Sequence, residues 1–269
     1  MAGRTSGVHA RLTAPIAAFA AALSLAVHAH DGARARADQP SGQSQGPVSA
    51  FPLYAPSAPD DTSGFVEIFD GRTLSGWDGD PTFWRAESGA IVGESTVDKV
   101  VARNTFLVWR GGTLKDFELK VEFRISGANS GIQYRSTELA SEGRWVVKGY
   151  QADIDFRNVY TGNIHEERGR RVLAPRGSFV RAVDGGGVKR VGTVGDPDVL
   201  KAAIDTAQWN KYHIVARGAV VIELVNGHVT SILVDEDSTH RADEGVLALQ
   251  MHTGPPFKVE YRNLWYRPL

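Results

Sequence analysis

From Phe65 to Leu269 the chain is a succession of short runs in which apolar and polar residues alternate, broken by Gly, Asn and Asp. A period of two is the signature of strands with one buried face. "FELKVEFRI" shows it most plainly: Phe117, Leu119, Val121, Phe123 and Ile125 fall on one face, and Glu118, Lys120, Glu122 and Arg124 on the other. In "VVIELVNGHVTSILVD", Asn226-Gly227 separates two such runs. That pair suits a turn with positive φ at both positions, so a hairpin is expected. Further strands are expected at 65–69, 90–93, 131–135, 149–156, 211–217, 246–252 and 257–266. The one helix candidate is "DPDVLKAAID", where Asp196 can cap and Pro197 fits the first helical position. Residues 166–195 show no clear period and read as a long loop. The basic side chains Arg168, Arg170, Arg171, Arg176, Arg181, Lys189 and Arg190 make that stretch either a lid with a glycine hinge at 185–187 or a solvated charged loop. Many short strands over about 200 residues predict an all-β sandwich in a single domain.

Each strand of a sandwich gives one face to the core, so the alternation also tells which side chains are left over. With Tyr150, Ala152, Ile154 and Phe156 inward, Gln151, Asp153 and Asp155 point out. With Ile132 and Tyr134 inward, Gln133 and Arg135 point out; with Leu247, Leu249 and Met251 inward, Gln250 and His252 do. Joined by Glu122 and Arg124, they form a candidate face of acids, amides, guanidinium groups and imidazole. Solvated sheet faces usually carry Thr, Lys and Ser, whereas amides, carboxylates and guanidinium forks bind sugar hydroxyls in pairs. Asp153 and Asp155 fall about 6.6 to 7 Å apart along one strand face. Two carboxylates that close can separate into an acid and a base unless arginines neutralise both.

Composition changes this picture at the N-terminus. The 269 residues are 42% hydrophobic with a formal net charge of −1, an ordinary globular balance with no pull toward nucleic acid. Arg4 and Arg11 precede an apolar run from Leu12 to Val27, with small residues following at Ala29, Ala35 and Ala37. This is the layout of a secretory leader, so residues 1–37 are expected to be a cleaved signal peptide and the protein periplasmic or secreted, with no membrane span remaining. Residues 38–63, rich in Pro, Ser, Gly, Gln and Ala, read as a flexible linker before a domain at 64–269. The absence of cysteine excludes a disulfide framework and a lipid-attachment thiol.

The ordered series "IFDGRTLSGW", "WRAESGAIVG", "DFELKVEFRISGANSGIQYRS", "GYQADI", "QWNKYHIVARG", "NG" and "ALQMHTGPPFKVEYRNLWYRPL" resembles the 3-keto-disaccharide hydrolase domain family over nearly the whole folded part. The resemblance implies a concanavalin A-like jelly roll of two antiparallel sheets, binding saccharides on its concave sheet, and activity on sugars oxidised at C3. A C3 ketone acidifies the C2 proton, so a base can remove it, the C1 substituent can leave and water can add back. Such a route needs a base near C2, a donor to the enolate and an acid at the leaving oxygen. Asp153 is the first candidate for the base, with Glu122 and His165 as rivals, and Arg124 and Arg135 are candidates for stabilising the enolate. Asn129, in the stretch matching the family's "NSG" motif, is expected to orient a hydroxyl, and Gln133, Gln151, Asp155, Glu166, Gln250 and His252 to contact substrate. Family members often carry an acid followed two residues later by an amide at "GYQADI"; here Gln151 precedes Asp153, so the base cannot be carried over and rests on the alternation alone.

Trp145 is the ring expected to stack on a sugar. No cofactor is assigned. His165, Glu166, Asp153 and His252 are the residues that would suit a divalent metal, but "NIHEERGRR" lacks the helical His-Glu-x-x-His spacing and reads more readily as a solvated turn. A noncatalytic carbohydrate-binding module is the alternative. An ordinary retaining glucanase is a third reading, disfavoured because no strand carries Glu-x-Asp-x-x-Glu.

Overall fold

The computed structural model describes residues 58–185 and 187–269. The expected leader at 1–37 and the linker positions 38–57 lie outside the described residues, as does Gly186 in the expected hinge. The first strands are β1 (Val66–Glu67), β2 (Trp77–Asp78), β3 (Trp84–Glu87), β4 (Ala90–Glu94), β5 (Thr105–Trp109) and β6 (Phe117–Ser126). Next come β7 (Asn129–Glu138), β8 (Val147–Asp155), β9 (Ile164–Glu167), β10 (Arg171–Ala174), β11 (Ser178–Val183) and β12 (Gly187–Thr193). Helix α1 (Pro197–Ala202) precedes β13 (Asn210–Arg217), β14 (Val220–Val225), β15 (His228–Glu236), β16 (Val246–Met251) and β17 (Lys258–Pro268).

These strands form a jelly-roll sandwich. The larger sheet runs β12-β11-β15-β14-β13-β6-β17-β4-β3, with β1 added on β17, and the smaller runs β10-β9-β8-β7-β16-β5-β2. Pairing is antiparallel except between β11 and β15, which run parallel. The odd-numbered residues of β6, with Ile132 and Tyr134 of β7, Tyr150, Ala152 and Ile154 of β8, and Leu247, Leu249 and Met251 of β16, meet in one buried cluster between the sheets. Phe156, expected inward, lies past the end of β8 and is exposed. Asn226 and Gly227 take φ values of 51° and 81° at the expected hairpin. Asp196 Oδ1 accepts from the amides of Asp198 at 2.8 Å and Val199 at 3.3 Å, capping α1 as its sequence requires.

The stretch 166–195 is not a loop. It holds the end of β9 and all of β10, β11 and β12, the last pair closing one edge of the larger sheet. Edge strands carry charged residues that discourage further pairing, which hides their alternation. Three of the arginines there are ion-paired: Arg170 with Glu166 and Asp235, Arg168 with Glu142, and Arg181 with Glu236. Residues 58–63, read from composition as linker, are held down as well. Lys120 Nζ donates to the carbonyls of Ala58 and Asp61, and Arg267 Nη1 to that of Ser63.

Three expected site residues are placed elsewhere. Gly127 and Ala128, with φ of 79° and 50°, turn the chain from β6 in one sheet to β7 in the other. The outward faces of β6 and β8 therefore point in opposite directions. Glu122 accepts from Arg262 Nε at 2.7 Å and Arg124 Nε donates to Glu260 at 2.6 Å, on the outer face of the larger sheet. Both of those guanidinium groups stack on Trp209, at 4.7 Å for Arg124 and 4.0 Å for Arg262. Arg135 sits in a register shift between Tyr134 and Thr137, at a φ of 47° and 1% exposed. Its Nε donates to Lys115 O at 2.7 Å, Nη1 to Gly218 O at 2.8 Å and Nη2 to Asp116 Oδ1 at 3.1 Å. The alternation fails at the bulge, and the guanidinium ties loops together instead of facing a substrate. Replacing it by methionine strands those acceptors. Arg135→Met is expected to cost roughly 2–4 kcal/mol of stability, measured by urea unfolding.

Candidate functional site

The central strands of the smaller sheet bring the remaining candidates together. On the outward face Gln133 lies opposite Gln151, Gly131 opposite Asp153 and Asn129 opposite Asp155. The missing side chain at Gly131 matters, because a Cβ there would come within 2.5 Å of Gln151 Cγ and Cδ. Gln151 occupies that space and bonds in both directions: Gln133 Nε2 donates to Gln151 Oε1 at 2.6 Å, and Gln151 Nε2 donates to Asp153 Oδ1 at 2.7 Å. Behind them Ser136 Oγ donates to Gln133 Oε1 at 2.7 Å. On the other flank His165 of β9 is registered with Gln151. In β9 Ile164 and Glu166 turn inward, while His165 and Glu167 turn out.

Asn129, Gln151, Asp153, His165, Glu167 and His252 line a cavity of about 490 Å³, with Tyr160, Arg168 and Arg171 also on its wall. Glu167 accepts from Asn104 Nδ2 at 3.1 Å and Gln250 Nε2 at 3.4 Å. Glu167 went unassigned in the sequence, although the one-residue alternation in "IHEE" pairs it with His165. Asn104 and Tyr160 come from segments that carried no signal of their own, and Arg171 from the basic stretch 166–195.

Other predicted contacts have structural duties. Glu166 also borders the cavity, but its carboxylate is engaged by Arg170, accepting from N, Nε and Nη2 at 2.6, 2.8 and 2.9 Å. Asp155 Oδ2 accepts from Val159 N at 2.7 Å and caps the loop after β8. Gln133 and Gln250 are fully buried and stand behind the cavity wall. Trp145 lies away from the cavity, donating from Nε1 to Asp78 Oδ1 at 2.8 Å under the Arg144 guanidinium. The inward turn of Glu166 breaks up the conceivable metal set. Among the described residues no three His, Asp or Glu side chains are grouped to hold an ion. A separate cavity of about 270 Å³ on the larger sheet is bordered by Lys120, Lys211 and Trp265, but Lys120 is committed to residues 58–61 and Lys211 to Asp60.

Asp153 is the electrostatic anomaly. It is 5% exposed and, among the described residues, forms no ion pair; its only side-chain hydrogen bond is the amide of Gln151. Burial pushes its pKa up to about 8, the Gln151 bond opposes the rise, and the charges of Glu167 and Asp155 add to it. Burial also holds the His165 imidazole below its ordinary value, with Glu167 opposing and Arg171 reinforcing. At neutral pH the cavity therefore sets a largely protonated carboxyl near a neutral imidazole, two groups able to exchange a proton with a ligand.

A carboxyl whose pKa rises on folding keeps a proton that the unfolded chain has lost. Its contribution is complete below the unfolded value of 3.8 and is lost as pH rises to about 8. Asp153→Asn removes that penalty. Its stability relative to wild type should grow by on the order of 2–4 kcal/mol between pH 5 and pH 8, read from urea midpoints at the two pH values.

Residues 64–267 match the family described as the 3-keto-alpha-glucoside-1,2-lyase-like domain. A 3-keto-disaccharide hydrolase from Bacteroides thetaiotaomicron is 34% identical over 94 residues, which span 32% of this chain and 32% of that protein. Among solved structures, a putative glycosyl hydrolase from Parabacteroides distasonis superposes with a TM-score of 0.50 at 16% identity, covering 76% of this chain and 99% of that one. A carbohydrate-binding module from Bacillus subtilis gives a TM-score of 0.46 at 14% identity, covering 71% and 95%. With a match over almost all of the described sandwich, the chain belongs to the 3-keto-alpha-glucoside-1,2-lyase-like domain family.

Proposed function

We propose that the protein cleaves glycosides whose sugar carries a ketone at C3, with Asp153 as the base. The observation that carries this reading is the buried carboxyl without a cation, open to a cavity of sugar-binding groups. A carboxylate that ionises near pH 8 is a stronger base than an ordinary one, as removal of a proton from carbon demands. The C2 proton passes to Asp153, its electron pair forms the C1–C2 double bond, and the C1 oxygen leaves with a proton. Water then adds across that bond, returning hydrogen to C2 and placing a hydroxyl on C1, so that one water is consumed overall. Arg124 and Arg135 are elsewhere, which leaves Asn129, Arg168 and Arg171 as the cavity's donors for the developing oxyanion. His165 and Glu167, on the same cavity wall, assist the leaving oxygen in this reading. The leader-like pattern at Arg4, Arg11 and Leu12 to Val27 supports export, with the reaction occurring outside the cytoplasm.

Purified protein incubated with 3-keto-trehalose or 3-keto-lactose should release the 3-keto-sugar and leave the unoxidised disaccharides intact. Cleavage of both would indicate an ordinary glycosidase, and binding without cleavage a carbohydrate-binding module. In heavy water the released sugar should carry deuterium at C2. For the keto substrates kcat/KM should rise with pH through an apparent pKa of about 8, the value held by Asp153 in the free protein. Asn129→Ala should lower kcat/KM by about tenfold while changing stability by less than about 1 kcal/mol, checked by kinetics and urea unfolding together.

A further inference from the structure

We propose that Gln151 is a positioning residue for the reaction: its amide engages one oxygen of Asp153, Oδ1, and so reserves the other, Oδ2, for the substrate's proton. This rests on the reading of Asp153 as the base. The geometry behind it is a directed chain. Ser136 donates to Gln133, Gln133 to Gln151 and Gln151 to Asp153, over 2.7, 2.6 and 2.7 Å, each amide accepting on its oxygen and donating from its nitrogen. Aligned dipoles of this kind strengthen one another in a poorly solvated setting. Ser136, Gln133 and Gln151 are each no more than 3% exposed, so water competes little for these bonds. Reversing the Gln151 amide alone would set its oxygen against an ionised Asp153 Oδ1 and its nitrogen against the nitrogen of Gln133.

Packing holds the amide in the same pose. The Gln151 side chain fills the space over Gly131 on β7, and His165 of β9 is registered beside it. Among the described residues Asp153 Oδ2 accepts no hydrogen bond, while Asp153 itself lines the cavity. An unrestrained carboxylate would present either oxygen by rotating; this one presents a single defined atom, as proximity catalysis requires. The other titratable groups around Asp153 are His165, Glu166 and Glu167 on β9, Arg168 and Arg171 after them, Tyr160, His252 after β16, Asp155 on its own strand, and Tyr212 and Glu223 from the larger sheet. The substitutions below leave all of them in place.

The test pairs kinetics with a titration that needs no substrate. Carbon-13 NMR of labelled aspartate carboxyls, with Asp153→Asn supplying the assignment, follows Asp153 in wild type, Gln151→Met and Gln133→Met. Losing the donated bond in Gln151→Met should move the Asp153 titration up by about one to two units. At pH 7 its kcat on a 3-keto-disaccharide should fall about tenfold or more while KM stays within about twofold. Gln133→Met should shift the titration in the same direction but less, because the amide of Gln151 survives and only its alignment is lost. Gln151→Glu keeps the side-chain volume and the contact from Gln133, covers the case in which the methionine variant misfolds, and should also raise the Asp153 titration. Titration of Asp153 within about 0.3 units of wild type in Gln151→Met would overturn the proposal, as would a shift with kcat unchanged. Cleavage that survives Asp153→Asn removes the underlying reading and this proposal together. Cleavage lost in Asp153→Asn but kept in Gln151→Met removes the proposal alone.

Discussion

Two sheets share one apolar layer, and every strand that borders it must surrender alternate side chains to it. That requirement is met by the aromatic and aliphatic set of β6, β7, β8 and β16, and it dictates everything else about those strands. What is not given to the layer is displayed outward in fixed register. Gln133 and Gln151 therefore meet across a strand pair, and Gly131 leaves space beside Asp153, because the opposite faces of the same residue runs are packed. The site is the reverse side of the core.

The same physics governs the other buried acids and shows what sets Asp153 apart. Asp235 and Glu166 are held by Arg170, and Glu118 by His213 and Arg267. Each of these charges is matched where it is buried, which is the usual condition for keeping it. Glu223 and Asp153 are treated differently. Glu223 accepts hydroxyls from Tyr134 at 2.9 Å and Tyr212 at 3.0 Å, and its complete burial drives its pKa well above the ordinary range. It lies between the sheets with no exposed surface, so its proton has a structural role only. Asp153 is raised by the same desolvation but opens on the cavity, and access turns an electrostatic penalty into chemical potential for proton transfer.

Much of this could be read from residue order. The alternation in "FELKVEFRI", the Asn226-Gly227 turn, the Asp196 cap and the inward sets of β7, β8 and β16 are local properties, and local properties survive in a sequence. The gathering of Gln151 and Asp153 on one face with Asn129 and His252 nearby follows from them. Period two distinguishes the faces of one strand, however, not the sheet to which the strand belongs. Glu122 and Arg124 were therefore grouped with groups on the far side of the molecule. Arg135 escaped because a bulge reverses the alternation at that residue, and Glu167 was passed over beside Glu166 because the alternation of the four-residue β9 was not followed. The edge strands β10 and β12 looked irregular because edges carry charges that discourage further pairing.

Gly131 has a further consequence, for how the site moves. The residues around it lie on β7 and β8, each hydrogen-bonded on both sides, by β16 and β9 respectively, and not on a loop that can swing aside. Opening Gln151 and Asp153 toward disorder would mean breaking ladders near the centre of the smaller sheet, an excursion that costs close to global unfolding. Ligands must therefore reach this floor without displacing it, past the exposed Tyr160 on the cavity wall. The floor of the cavity should exchange its amide hydrogens about as slowly as the core beneath it.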